Sequence, residues 1–280
     1  MLIPINLGYP LYRVLYRGNK IIKMAFSPRH MCTNMFVYDS ENGRLLLSLV
    51  LKVCNLTTKP AALFPFSDHY QGHEAMELNL TAQMFNIKYA AGIHEESNGA
   101  VEFSGEQDSF IQIEANSQVQ FDQSMTILLH VYPRKSSTGP LLHYNAHGVQ
   151  IWIEGTIDKT SLMARFVRRN SSNSSWLKTD KLCLTSWNFI GASYNHVTGW
   201  AYLFHDGLEV ARMFIAKNAL LGTSHEIRLG AVAIPSPRTY EGTVACLQFY
   251  SKALDTKEVL EAKDACNPGE ECFMHSLLCN

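Results

Sequence analysis

The stretch WNFIGASYNHVTGWAYLFHDGLEVAR, residues 187–212, decides how the chain folds, and IRLGA at 227–231 and YEGTVACLQFY at 240–250 continue it. Runs rich in aromatic and β-branched side chains are interrupted here by Thr198-Gly199 and Asp206-Gly207. A pair such as Asp-Gly tolerates the positive φ of a two-residue hairpin turn, and the twist of that turn matches the strands it joins. The stretch therefore predicts a ladder of short antiparallel strands.

Working upstream, residues 149–154 alternate cleanly: Val149, Ile151 and Ile153 share one face, and Gln150, Trp152 and Glu154 share the other. That is the pattern of a half-buried strand. It is reached from 140–144 through Ala146-His147-Gly148. Residues 125–133 are apolar on both faces, as expected of a sheet covered on both sides, and Pro133 ends the run because proline cannot donate into a ladder. Residues 100–103 and 110–113 form two short strands around a polar turn, 162–167 forms another, and 68–98 has no readable register. Near the C-terminus the period changes. Asp255 and Glu258 fit a capping box, and Leu254 and Val259 fit the hydrophobic staple across it, which predicts a short helix over 256–265.

The ordered combination of a tryptophan strand, a Thr-Gly hairpin, an Asp-Gly hairpin, an Ile-Arg-Leu-Gly strand and a Tyr-x-Gly-x-Val-x-Cys strand resembles the laminin G-like and pentraxin-like modules of the concanavalin A-like superfamily. Ala62-Leu63-Phe64-Pro65-Phe66 is similar to the opening strand of such modules, and Ala253-Leu254 with Glu258-Val259 to their closing helix. The resemblance implies an all-β fold: an antiparallel β-sandwich jelly roll (concanavalin A-like) with a short C-terminal helix. Under it, residues 1–60 are an N-terminal leader or edge hairpin segment, 61–266 the laminin G-like jelly-roll domain, and 267–280 a cysteine-containing C-terminal tail. It further implies that Trp187 and Phe189 pack in the core between the sheets, and that Cys246 and Cys266 form a disulfide. The pairing of Cys32, Cys54, Cys183, Cys272 and Cys279 stays open, although Cys32 and Cys54 bracket the Asn42-Gly43 turn and could close a small loop.

Composition narrows the function classes. The 280 residues carry a formal net charge of −1 and 18% charged side chains, so no broad basic footprint for nucleic acid exists. Residues 1–30 contain Arg13, Arg17, Lys20, Lys23 and Arg29 and no acid, which admits a targeting peptide or membrane-surface anchor. The segment lacks the uninterrupted apolar core of a signal peptide, and Pro4, Gly8, Pro10 and Gly18 break any long helix. The apolar run at 45–53 is too short to span a bilayer, so no membrane span is expected. Asn55, Asn79, Asn170 and Asn173 each head an Asn-x-Ser/Thr glycosylation signal, and with seven cysteines they point to a secreted protein or the extracellular part of a larger one.

Catalytic chemistry finds little support. Retaining glycoside hydrolysis needs two facing carboxylates, and Glu154 has none at 150 or 152, while Glu102 has Ser104 as its same-face neighbour. Glu106-Gln107-Asp108 reads as a solvated turn, and Ser193 lacks a nucleophile-elbow context. His143 and His147 flank a turn without a third metal ligand, and they, with His196 and His205, read as solvent-facing loop side chains. The family resemblance implies Ca2+ at a sandwich rim, for which Asp68, Asp108 and Asp122 are candidates, beside the simpler reading of solvated carboxylates. Trp152, Trp176 and Trp200 are candidates for a sugar-stacking platform. The sequence reading is thus a non-catalytic extracellular recognition or adhesion module for a protein or glycan partner. Its alternatives are a calcium-dependent lectin, a glycoside hydrolase of the same fold, and a structural spacer. Because a glycan on the 170–175 loop would cover nearby surface, the ligand face is expected away from that loop.

Overall fold

In the computed structural model the Asp206-Gly207 turn has φ of 49° and 79°. Positive φ at both central residues is what a two-residue type I′ hairpin turn requires, and this one joins β16 (Trp200–His205) to β17 (Leu208–Phe214). The described residues are 58–266, apart from 135–137, 146–147, 157–158, 172–173, 181 and 235, together with the strands within 12–49. The chain divides into two units, residues 57–266 and residues 1–56 with 267–280. Within the latter, β1 (Tyr12–Arg17), β2 (Lys20–Phe26), β3 (Thr33–Asp39) and β4 (Leu45–Leu49) form an antiparallel meander in chain order.

The larger unit is a sandwich of two antiparallel sheets. One runs β17, β16, β15 (Asn188–Tyr194), β10 (Met125–Pro133), β19 (Glu241–Tyr250), β8 (Ala100–Ser104) and β7 (Lys88–Ala90), with β5 (Ala62–Phe64) also on β19. The other has seven strands: β14 (Leu177–Thr179), β13 (Thr160–Arg165), β12 (Gln150–Gly155), β11 (Gly139–Tyr144), β18 (Ile227–Leu229), β9 (Phe110–Ile113) and β6 (Ala82–Phe85). The strands flanking the 104–109 turn, β8 and β9, thus belong to different sheets. Between the sheets lie Phe64, Phe103, Ile127, Leu129, Ile151, Ile153, Ile190, Tyr194, Val244 and Phe249, all buried.

Strand β19 changes partner partway along. Residues 241–244 pair with β8 and 247–249 with β5, while β10 runs along its other edge. At the changeover the β10 register slips between Leu128 and His130, and Cys246 takes φ of 52°. Such a slip is a β-bulge, which inserts one residue and redirects side chains. Its effect is visible in the packing: Ala245 and Cys246 both face the outer side of the sheet, between Val244 and Leu247 in the core. Cys246 is thereby aimed at Cys266, to which it is disulfide-bonded with Cα atoms 5.7 Å apart.

The disulfide anchors the segment that covers the outer face of this sheet. Helix α1 (Thr256–Glu261) starts with a capping box in which Asp255 accepts from the Glu258 N–H at 2.9 Å and Glu258 from the Asp255 N–H at 3.1 Å. A 3-10 turn, Ala262–Asp264, follows. Leu254, Val259 and Ala262 pack on Leu128, Phe189, Phe204 and Tyr250. Phe189 therefore lies under the helix, and Trp187 packs near the disulfide with its ring 5.7 Å from Tyr132, so neither is in the inter-sheet core as the resemblance implied. The cause is strand parity: Ile190, Ala192 and Tyr194 take the inward positions of β15, leaving the odd-numbered residues outward. Gly191 is one of these, and a Cβ there would meet Leu128 Cδ2 at 2.3 Å.

Two buried polar side chains hold the end of this cover. Gln248 Nε2 donates to Ala262 O at 3.1 Å, and His130 Nε2 lies 2.9 Å from Lys263 O, which requires the ring proton on that nitrogen. Burial lowers the His130 pKa to about 4, and burial also lowers that of His143. A depressed histidine is neutral in the fold while the unfolded chain binds a proton below its ordinary pKa near ~6.5. Stability contributed by the neutral ring is therefore complete above about pH 6.5 and falls as pH drops towards 4, by on the order of 3 kcal/mol for His130 alone. Denaturant midpoints measured across pH 4–7 are expected to fall with pH, and His130→Gln, which keeps an amide donor, to flatten that slope. Loss of the disulfide in Cys246→Ser/Cys266→Ser is expected to cost about 3 kcal/mol, read as a lowered urea midpoint with the unfolding slope watched for denatured-state changes.

Candidate ligand-binding face

With the middle of one outer sheet face covered by the C-terminal segment, the outer face of the seven-stranded sheet is the other surface of the sandwich. Ile151 and Ile153 on β12 point into the core, so Gln150, Trp152 and Glu154 point out. Register carries this row across neighbouring strands: Gln150 is opposite Arg165, Trp152 opposite Met163, and Met163 opposite Lys178. On the other side His143 is opposite Arg228, and Arg228 opposite Gln112. One face therefore collects side chains from six hairpin-linked or crossover strands.

Two tryptophans meet on it. The Trp152 and Trp176 rings lie edge to face, with centroids 6.2 Å apart at 74°. The Arg165 guanidinium stands 4.8 Å over Trp176 and that of Arg238, from the β18–β19 connection, 5.2 Å over Trp152. Arg165 Nε also donates to Gln150 Oε1 at 3.1 Å, which fixes the plane of its fork. The same device recurs further along, where Arg228 Nε donates to Gln112 Oε1 at 2.9 Å and the guanidinium sits 4.1 Å over Phe110. Phe110 in turn stacks on Phe85 at 4.4 Å. Trp152 is only 8% exposed, and its Nε1 donor, fully buried, has no hydrogen-bond partner. A buried donor left unmade costs about 1–3 kcal/mol, which makes it the least satisfied atom of this face.

The carboxylates here are engaged by lysines. Glu154 pairs with Lys178, while Asp180 accepts from Lys159 Nζ and from Ser161 Oγ, each at 2.6 Å. Those hydrogen bonds, from Lys159 first and Ser161 second, hold the Asp180 pKa below the usual carboxylate value.

The other sequence candidates disperse. Asp68 accepts from Asn98 Nδ2 at 2.9 Å, Asp108 from Asn86 Nδ2 at 2.7 Å, and Asp122 from Arg169 at 2.6 Å. Among the described residues no three His, Cys, Asp or Glu side chains gather as a metal site. Glu102 pairs with Arg134, and Ser193 is buried, accepting from Thr126 Oγ1 at 3.1 Å. His143, expected in solvent, is 5% exposed with Nε2 3.3 Å from Ala231 O, because it sits inside β11 rather than in the turn after it; His147 lies outside the described residues. His205, also expected outside, is 11% exposed at its side chain, with Nε2 2.9 Å from Asn188 Oδ1, and His196 is half-buried with Nδ1 3.1 Å from Ala219 O. Trp200, 39% exposed, pairs with Phe214 at 5.8 Å on the other sheet, away from the Trp152–Trp176 pair.

Asn79 and Asn170 are exposed, and Asn55 and Asn173 lie outside the described residues. The 170–175 loop ends one residue before Trp176, so this candidate face borders the loop. The arginines were not singled out from the sequence. Their signal is an arginine at an outward strand position between core residues, as in Ala164-Arg165-Phe166 and Ile227-Arg228-Leu229.

The family model for the concanavalin A-like lectin/glucanases superfamily matches residues 104–260. No curated protein matches the sequence. The binding domain of botulinum neurotoxin serotype G is similar in structure, with a TM-score of 0.58 and 12% identity over 72% of this chain and 50% of that one. The binding domain of botulinum neurotoxin DC, solved with SialylT, has a TM-score of 0.57 and 10% identity over 76% and 52%. Domain 4 of AbnA, an extracellular arabinanase from Geobacillus stearothermophilus solved with arabinotriose, has a TM-score of 0.55 and 18% identity over 73% and 98%. The chain thus spans about half the length of the neurotoxin binding domains and nearly all of the arabinanase domain, and likeness at these identities shows the fold.

Because Trp152→Phe removes the unpaired donor and keeps an aromatic body, it is expected to leave the stability of the protein unchanged or raised, by up to about 1 kcal/mol. Thermal unfolding of the two proteins, with circular dichroism to check the fold, measures this.

Proposed function

The chain belongs to the concanavalin A-like lectin/glucanases superfamily, and from that premise we propose that residues 57–266 are a non-catalytic recognition module that takes a glycan on the outer face of the seven-stranded sheet. The observation that carries this reading is the Trp152–Trp176 pair with its two stacked guanidinium groups. Indole faces suit the C–H faces of a sugar ring, and the donors around them suit its oxygens. On the other sheet, helix α1 covers the middle of the outer face over Leu128, Phe189, Phe204 and Tyr250, which favours this side.

A binding role is favoured over hydrolysis by the state of the nearby acids. A general acid needs a raised pKa, and Asp180 is lowered by its lysine and serine partners, while Glu154 is paired with Lys178. The arabinotriose in the arabinanase domain and the SialylT in the neurotoxin domain are consistent with sugar ligands on this fold. An oxidising, extracellular setting suits the Cys246–Cys266 bond and the exposed asparagines of the glycosylation signals. Among the described residues no helix is long and apolar enough to cross a membrane.

Titration of the full chain with a panel of neutral and acidic oligosaccharides, followed by tryptophan fluorescence, tests the reading. At least one sugar is expected to shift the emission, with affinity lowered about tenfold or more in Trp176→Ala, equivalent to ~1.4 kcal/mol, and unchanged in Trp200→Ala. Absence of any bound sugar, or release of new reducing ends, would overturn it.

A further inference from the structure

The Trp152–Trp176 site holds more than aromatic surface. Its unengaged polar atoms are donors: the Nε1 of Trp152 and the terminal nitrogens of Arg165 and Arg238. The acceptors within reach are already used, since Gln150 Oε1 takes the Arg165 Nε–H, Glu154 is bonded to Lys178, and Asp180 to Lys159 and Ser161. No carboxylate is bonded to Arg165 or Arg238 among the described residues, so two positive charges face this site with indole rings and one amide as their partners. Burial works against the Arg165 charge, and no acidic group offsets it. A guanidinium held in plane by a glutamine and an indole keeps a planar fork ready for a bidentate acceptor.

Resting on the glycan-binding reading, we propose that this site selects saccharides bearing a carboxylate, such as a uronate or a sialate, over their neutral counterparts. The ring stacks on the half-buried indole of Trp176, the carboxylate is taken by Arg165 and Arg238, and a sugar or carboxylate oxygen reaches the otherwise unpartnered Nε1–H of Trp152 once Arg238 swings from over that ring. Arg228 is less suited to the role. The acids Glu114, which accepts from Gln112 at 2.9 Å, and Glu226, which accepts from Asn145, lie on its side of the sheet.

The test compares the full chain's affinity for pairs of oligosaccharides that differ only in the terminal acid: glucuronate against glucose, and a sialylated against an unsialylated lactose. A heparin-derived oligosaccharide serves as a sulfate-bearing control. At least one acidic member is expected to bind at least tenfold more tightly than its neutral partner. Arg165→Gln and Arg238→Gln should each weaken the acidic member more than the neutral one, bringing that ratio towards one, Arg165→Lys should keep part of it, and Arg212→Gln should change nothing. Circular dichroism and thermal unfolding of each variant separate a lost contact from a lost fold. Equal affinity within both pairs would overturn this inference and leave the glycan reading standing. Binding of the sulfated control alone, lost with added salt, would overturn it in favour of diffuse charge attraction, and binding of none of the sugars would overturn both readings.

Discussion

Strand β19 has to satisfy backbone hydrogen bonds on both edges against three partners, and no straight ten-residue strand can do so with one set of facing residues. The bulge at Cys246 resolves this. It lets the strand leave β8 and take up β5 while β10 follows along the opposite edge, and Pro65 O accepts the Cys246 N–H at 3.1 Å where the change occurs. The same distortion turns a cysteine outward, and the bond from it reaches the end of the helical segment. Local backbone strain at one residue thus fixes both the continuity of the sheet and the seat of its cover.

From this arrangement follows the inequality of the two outer faces. One is covered in its middle by Leu254, Val259 and Ala262 over Leu128, Phe189, Phe204 and Tyr250, with the helix-end carbonyls taken up by Gln248 and His130. The other is built from short hairpin strands whose outward side chains are aromatic, amide and guanidinium groups. A face made for internal packing would pair its donors, and this one leaves an indole N–H without an acceptor. Under the proposed reading, the ligand supplies that acceptor.

Much of the fold was legible because it is local. Asp206-Gly207 encodes its own turn, and Asp255 with Glu258 its own cap. Residues 68–98 were opaque for an equally local reason: Gln71, Glu77, Asn79, Asn86, Glu95 and Asn98 all take positive φ, so the chain reverses too often for any period to develop. Phe189 was misplaced because its aromatic character does not say which face of a strand it occupies, and His143 because the strand extends up to the turn. The candidate face depends on cross-strand register, which sets Arg165 beside Gln150 and Arg228 beside Gln112. Register is a property of pairs of strands distant in sequence, and neither partner announces it alone.

The position of β19 also has a meaning in time. During synthesis the N-terminal pieces of its sheet, β5, β7 and β8, emerge long before it, and β10, β15, β16 and β17 form a second, separate group. Neither group has its central neighbour until residues 241–250 leave the ribosome. The two halves of the sheet therefore join last, through contacts of long sequence separation that are slow to close and that leave strand edges exposed in the meantime. A chain stopped shortly before Glu241 would hold nearly all of its strands and none of the element that makes them one sheet.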